Sequence, residues 1–305
     1  MWPRRNSGDL TSSRAASKSS ASRVALGAPL DSALGSSRLA PQRRMKFRLL
    51  LLVPVLLLPC AAETSGPQVL AGAHEDTNAV ILRIVQKMPR GGKYATSTFA
   101  NQQLSAAIRC AGEGLTVQAD SAIPSYCSGA TYLVFLAALE ELAKQQQIAI
   151  SRSALDALPV TGNRDGEGVW GRWNANGPGT ARLFAETGLG KNFTDWEKAR
   201  PGDFLKVWWS GEIGARERRH SVIFLGREKV NGVEQVRFWS SNVPDGYGEK
   251  VIPRGKIVRA LFSRLDRPAM INRVVALSPT DEFLASMLKR AATSEEVKQF
   301  CKVDE

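Results

Sequence analysis

From Ser125 to about Gln146 the chain carries a run that reads as a fully buried helix. Ala130, Leu133, Val134, Ala137 and Leu142 fall on one face at helical spacing, while Tyr132, Phe135, Leu136 and Leu139 cover the other. Opening turns that are apolar on every side leave nothing to offer solvent, so this helix is expected at the centre of its domain. Ser125 is a good N-cap, which puts Cys127 at the second helical position. There the unpaired N–H groups of the helix start carry partial positive charge, lowering a thiol's pKa and favouring the nucleophilic thiolate.

The elements around this helix run helices first, strands second. Asn78 to Met88 and Phe99 to Cys110 have helical apolar spacing, the first closed by Pro89 and Gly91-Gly92. Residues 159 to 200 are rich in Gly, Asn and Trp, and no regular element is expected at the start of that stretch. Thr180 to Glu186 fits a short helix closed by Gly188. Gly188-Leu189-Gly190-Lys191 fails as a phosphate loop, because Ala185 stands where the earlier glycine belongs and Asn192 follows the lysine. Arg200-Pro201-Gly202-Asp203 reads as a turn before a strand at Phe204 to Trp209. His220 to Leu225 and Gln235 to Ser240 read as two arms of an antiparallel hairpin whose tip, Asn231-Gly232, is a type I′ signal.

His220, 93 residues after Cys127, is the candidate base for that thiol. A plain two-residue turn pairs Val230 with Val233 and places Val243, Ser241 and Trp239 on the face of His220. A single bulge reverses this and brings Ser240 and Asn242 to it. An amide oxygen fixes an imidazole tautomer better than a serine hydroxyl does, so Asn242 is the preferred third group, on condition of a bulge or an early strand end. Arg216-Glu217-Arg218-Arg219 is read as a solvated loop in preference to an anionic-substrate contact beside His220. Trp170 and Trp173 either wall a substrate cleft or cap the core, and Ser128 beside the thiol joins them as a candidate substrate contact. With His74 and His220 the only histidines, and no paired metal-ligand spacing, neither a metal nor another cofactor is expected; His74 is read as a surface residue.

The first sixty residues differ from the rest. Residues 1–44, rich in Ser, Ala and Arg without apolar periodicity, are read as a disordered or untranslated leader. Met45 then opens a signal peptide over 45–62: Lys46 and Arg48, an apolar run from Leu49 to Leu58 and small residues at Cys60-Ala61-Ala62. A run of ten is too short to span a bilayer stably. A lipoprotein attached at Cys60 is the minority alternative. The chain as a whole carries a formal charge of +12, but the part after residue 48 holds 31 basic against 27 acidic residues, or +4. That excess is too small to argue for nucleic acid as a partner. Loss of Cys60 leaves three cysteines, so Cys110 and Cys301 are expected to pair and Cys127 to stay free.

Three motifs occur in order on the expected elements: Tyr126-Cys127-Ser128-Gly129 at a helix start, Pro201-Gly202-Asp203-Phe204-Leu205 before a strand, and His220-Ser221-Val222-Ile223-Phe224-Leu225-Gly226. Together they resemble the NlpC-like and CHAP-like papain-fold cysteine peptidases over about residues 94 to 262. The resemblance implies an α+β, papain-like fold in which the nucleophile opens a buried helix packed on an antiparallel sheet. It further implies Cys127 as nucleophile, His220 as base and Asn242 as the polar third residue, with peptide or amide bonds of bacterial cell-wall peptidoglycan as substrate. The expected organisation is a catalytic domain over 63–262 and a helical extension over 263–305, acting as a secreted or periplasmic monomer. The interval between Cys127 and His220 is long for compact members of that family. Two other readings stand beside hydrolysis: a non-catalytic module gripping glycan or peptide, and a transpeptidase using the same dyad.

Overall fold

A computed structural model describes residues 76–304 apart from 113 and 163. The segments read as a leader (1–44) and a signal peptide (45–62), with Cys60 and His74, lie outside the described residues.

In chain order the described elements are α1 (Thr77–Lys87), β1 (Gly91–Gly92), α2 (Thr98–Ala106), β2 (Ile108–Ala111), β3 (Gly114–Val117), α3 (Cys127–Lys144), α4 (Arg152–Ala157), α5 (Gly168–Asn174), α6 (Gly179–Thr187), β4 (Lys191–Phe193), β5 (Phe204–Trp208), β6 (Ile213–Gly214), β7 (Arg219–Val230), β8 (Val233–Asn242), β9 (Gly246–Pro253), β10 (Arg259–Arg264), α7 (Glu282–Ser286), β11 (Ala291–Ala292), α8 (Ser294–Cys301) and β12 (Val303–Asp304). The fold is α+β. Eight strands form one sheet in the order β1-β9-β8-β7-β5-β10-β4-β12, antiparallel except where β12 runs parallel to β4.

The helix α3 lies at the centre, as its all-round apolarity requires. Tyr132, Leu133, Val134, Phe135, Leu136 and Leu139 along it are fully buried. It packs against α1 and α5 and lies on β7 and β8. The sheet is covered on both sides: Phe204 and Ile223 join the cluster around α3, while Leu205, Val207, Val222 and Phe224 join a second cluster on the opposite face. The five residues of β5 are therefore all buried.

Pro201-Gly202-Asp203 does more than turn the chain. Asp203, with no exposed surface, accepts from Asn78 Nδ2 at 2.9 Å and pairs with Arg264 at 2.8 Å, so it locks α1 to β5 and β10. Gly202 has φ +96°, and a Cβ there would lie 2.7 Å from the carbonyl oxygen of Asn78. Only glycine permits that approach.

The Gly- and Trp-rich stretch contains α5, an element its glycines conceal. Val169, Trp170 and Trp173 share its inner face, and packing overrides weak propensity. Arg172 has no exposed surface; its guanidinium pairs with Glu186 at 2.7 Å and donates to the carbonyls of Gly166, Gly168 and Ser278. Trp170 and Trp173 are buried in the aromatic cluster of α3, with Trp173 stacked on Phe135 at 4.8 Å and edge-on to Phe204 at 5.3 Å. They cap the core and do not wall a cleft at Cys127. Trp170 borders a cavity of about 220 Å³ whose lining includes none of Cys127, His220 and Asn242.

Three further expectations change. The second helix ends at Ala106, and Cys110 sits on the β2–β3 hairpin, where the chain turns through Gly112 at φ +58°. Cys110 and Cys301 are both free thiols: Cys110 packs on the cluster around α3, whereas Cys301 is buried in a separate cluster with Phe283, Leu284 and Met287. Residues 263–305 are not purely helical, since β11 pairs with β6 and β12 adds the last strand of the main sheet.

Candidate active site

Cys127 is the first residue of α3, and Tyr126, in extended conformation, is its N-cap. Ser125 is not the cap, and Cys127 therefore stands at the first helical position. The Ser125 hydroxyl donates to Ser241 Oγ at 2.8 Å on β8 instead, and its backbone pairs with Lys93 and Ala95. No side chain of the N-cap residue takes up the N–H groups at the helix start. Positive potential is thereby left beside the sulfur.

His220 and Asn242 meet through the bulge that the amide reading requires. The β7–β8 pairing runs from Val230↔Val233 to Gly226↔Arg237, slips by one residue, and resumes at Phe224↔Phe238 and Ile223↔Trp239. Gly226 at the slip has φ +138°, a region that side chains avoid. The shift brings His220 Nε2 to 3.0 Å from Asn242 Oδ1. Asn242 Nδ2 donates to the carbonyls of Ser240 at 3.1 Å and Gly248 at 2.8 Å, which fixes the amide with its oxygen toward the ring. Nε2 must then carry the proton, leaving Nδ1 as the ring nitrogen for the thiol. Of the alternatives, Ser241 receives the Ser125 hydroxyl and Ser240 donates to the Ser221 carbonyl, so neither orients the imidazole.

The helix start enters where β7 and β8 part. Past Ile223↔Trp239 the Ser221 N–H bonds Cys127, and the Ser221 carbonyl accepts from Ser240 at 2.7 Å. Burial pushes the Cys127 thiol up, but the His220 ring beside it, a hydrogen bond with that ring, the Ser221 N–H and the Arg219 charge together outweigh burial. The thiol is lowered from 9.0 to about 6. Trp209 lies tilted 6.4 Å from the His220 ring and Phe238 meets it edge-on at 5.8 Å, so the imidazole stands between aromatic walls.

The run from Arg216 to Arg219, read in the sequence as solvated, brings a buried charged group next to the dyad. Glu217, whose side chain has no exposed surface, pairs with Arg219 at 2.8 Å and with Lys206 at 3.7 Å. It also accepts from the N–H groups of Gly177, Gly214 and the Trp208 indole at 2.7 to 2.9 Å. Burial raises its carboxyl, but the two cations and these donors more than reverse that and hold it below the usual range. Burial lowers Lys206 to about 8 despite Glu217. The run from Arg216 to Arg219 is thus half solvated, at Arg216 and Arg218, and half built into the site. The available signal was Lys206, a cation in the middle of an otherwise apolar strand.

Ser128 donates to Asn174 Oδ1 at 2.5 Å, tying the first turn of α3 to α5. Its hydroxyl is engaged within the protein. Among the described residues no group of His, Cys, Asp and Glu is placed to hold a metal ion, and no helix is long and apolar enough to cross a membrane.

No protein-family model, curated protein or solved structure matches the chain.

Proposed function

We propose that this chain is a secreted cysteine-type peptidase or amidase on a papain-like scaffold, cleaving peptide or amide bonds, with cell-wall peptidoglycan as its substrate. The observation that carries the reading is one imidazole bonded to both a thiol at about 6 and a buried asparagine amide. Cys127 passes its proton to His220 and reacts as the thiolate. The thiolate attacks the scissile carbonyl carbon to form a tetrahedral oxyanion, which the N–H groups at the start of α3 are placed to receive. Collapse breaks the C–N bond as imidazolium gives its proton to the leaving amine, and a thioester remains on Cys127. Water, deprotonated by His220, releases the acid and restores the thiol. A binding module relying on Trp170 and Trp173 loses its support, because both rings are inside the core.

The test is alkylation of Cys127 as a function of pH, followed by turnover of purified peptidoglycan fragments. The rate is expected to rise tenfold per pH unit up to about 6 and then level, since only the thiolate reacts and it forms above that pH. Mass spectrometry is expected to find an acyl adduct on Cys127 and hydrolysed peptides. An inflection near 9, or fragments left intact, would overturn the reading; products joined to an added amine would make the enzyme a transpeptidase.

Asn242→Ala is expected to lower kcat by about tenfold, the worth of one hydrogen bond that selects the tautomer. The same change leaves the buried Ser240 carbonyl and the half-buried Gly248 carbonyl without this donor and is expected to cost about 1 to 3 kcal/mol of stability, measured by urea unfolding.

A further inference from the structure

We propose that Arg219 is the specificity residue of this site and that the substrate carries a carboxylate next to the scissile amide, an assignment that rests on Cys127 being the nucleophile. Arg219 directly precedes His220 on β7 and lies close enough to Cys127 for its charge to acidify the thiol. A quarter of its side chain is exposed, and it is held through Nε against Glu217 at 2.8 Å. Among the described residues the terminal Nη groups donate no hydrogen bond. A guanidinium anchored at one edge with the other edge open is preset for two parallel bonds to a carboxylate.

Glu217 does not need Arg219 for its own satisfaction. Three N–H donors and the Lys206 ammonium already serve this buried carboxylate. Of the two cations that face Glu217, Lys206 and Arg219, the more solvent-accessible is Arg219. Asp165, the other carboxylate acting on Lys206, holds the Asn176 N–H at 2.7 Å. The loops bearing Gly177 and Gly214 are fastened to Glu217 as well, so the carboxylate that holds the guanidinium is itself fixed. A rigid cation beside a nucleophile favours substrates that bring the opposite charge and loses little entropy in binding them.

Two reagents of similar size read this without any substrate. Iodoacetate carries a carboxylate and iodoacetamide does not, and each rate is compared per thiolate across pH, so that a change in thiol acidity cancels. In the wild type the iodoacetate-to-iodoacetamide ratio is expected to exceed that of Arg219→Gln by about tenfold, with Arg219→Lys between them. Glutarate is expected to slow iodoacetamide labelling of the wild-type protein, a measurement that needs no variant to fold. Where peptides are turned over, Arg219→Gln should raise KM about tenfold for an acidic peptide and less than twofold for its amidated twin. Peptides bearing either a glutamate side chain or a free terminal carboxylate then tell which one Arg219 reads. An unchanged reagent ratio, with no glutarate protection, would overturn the assignment and leave Arg219 as a group that only acidifies the thiol. Because alkylation needs only the thiolate, a failure to cleave any peptide would count against the peptidase reading and not against Arg219.

Discussion

Replacing His220 by Ala is expected to separate two rates: turnover should fall about 10³-fold while alkylation of Cys127 at pH 7 slows only about fivefold. With the thiol at about 6, some nine-tenths is thiolate at pH 7. Without His220 the burial that opposes ionisation is no longer outweighed, so the thiol returns to at least its ordinary 9.0 and the thiolate fraction drops to about a hundredth. A more basic thiolate is also a better nucleophile, by about 20-fold over three pKa units at a Brønsted slope near 0.45, and recovers most of that loss toward an alkylating reagent. Amide cleavage has no such recovery, because the leaving nitrogen needs the imidazolium proton, worth about 10²- to 10⁴-fold. Stopped-flow alkylation beside peptide hydrolysis checks both. Equal losses in the two rates would mean that His220 acts only on thiol acidity.

Trp173→Ala is expected to destabilise the protein by about 3 to 5 kcal/mol, seen as a lower urea midpoint. The ring fills the space between α3, α5 and β5, within 5.3 Å of Tyr132, Phe135 and Phe204. Its Nε1 donates to the Ser128 carbonyl at 3.1 Å and reaches Thr131 Oγ1 at 3.3 Å, so truncation also disturbs the first turn of α3, where Cys127 sits. The smaller Trp173→Phe keeps most of the packing and is expected to cost about 1 to 2 kcal/mol. A tryptophan that served as a cleft wall would show the reverse pattern, weaker substrate binding at unchanged stability.

The residues that meet at the site were legible because each obeys a short-range rule. An all-round apolar helix must be buried, a cysteine at its start lies among unpaired N–H groups, and Asn231-Gly232 sets the hairpin that brings the ends of β7 and β8 together. Asn242 could be chosen only conditionally, since register depends on an irregularity. Gly226, a glycine inside a strand pattern, was the signal for it. Other features are set by distant packing and have no local signature. Helix α5 forms because its tryptophans and Arg172 are buried, against the propensity of its glycines. Ser125 has the chemistry of an N-cap but lies across from Ser241, and that contact claims its hydroxyl. Cysteine counting cannot tell that Cys110 and Cys301 belong to different core clusters. The expected helix over Phe99 to Cys110 fails after Ala106 because Ile108 to Val117 folds back on itself as a hairpin.

The one-residue slip at Leu225 makes the site a parity check on the length of the hairpin. Side chains alternate from face to face, so His220 and Asn242 face each other only while the difference between their positions, now 22, stays even. Adding or deleting two residues at the Asn231-Gly232 tip keeps that condition and only lengthens or shortens the ribbon. A change of one residue anywhere between them turns the amide away from the ring, unless a second slip or the loss of the first restores the count.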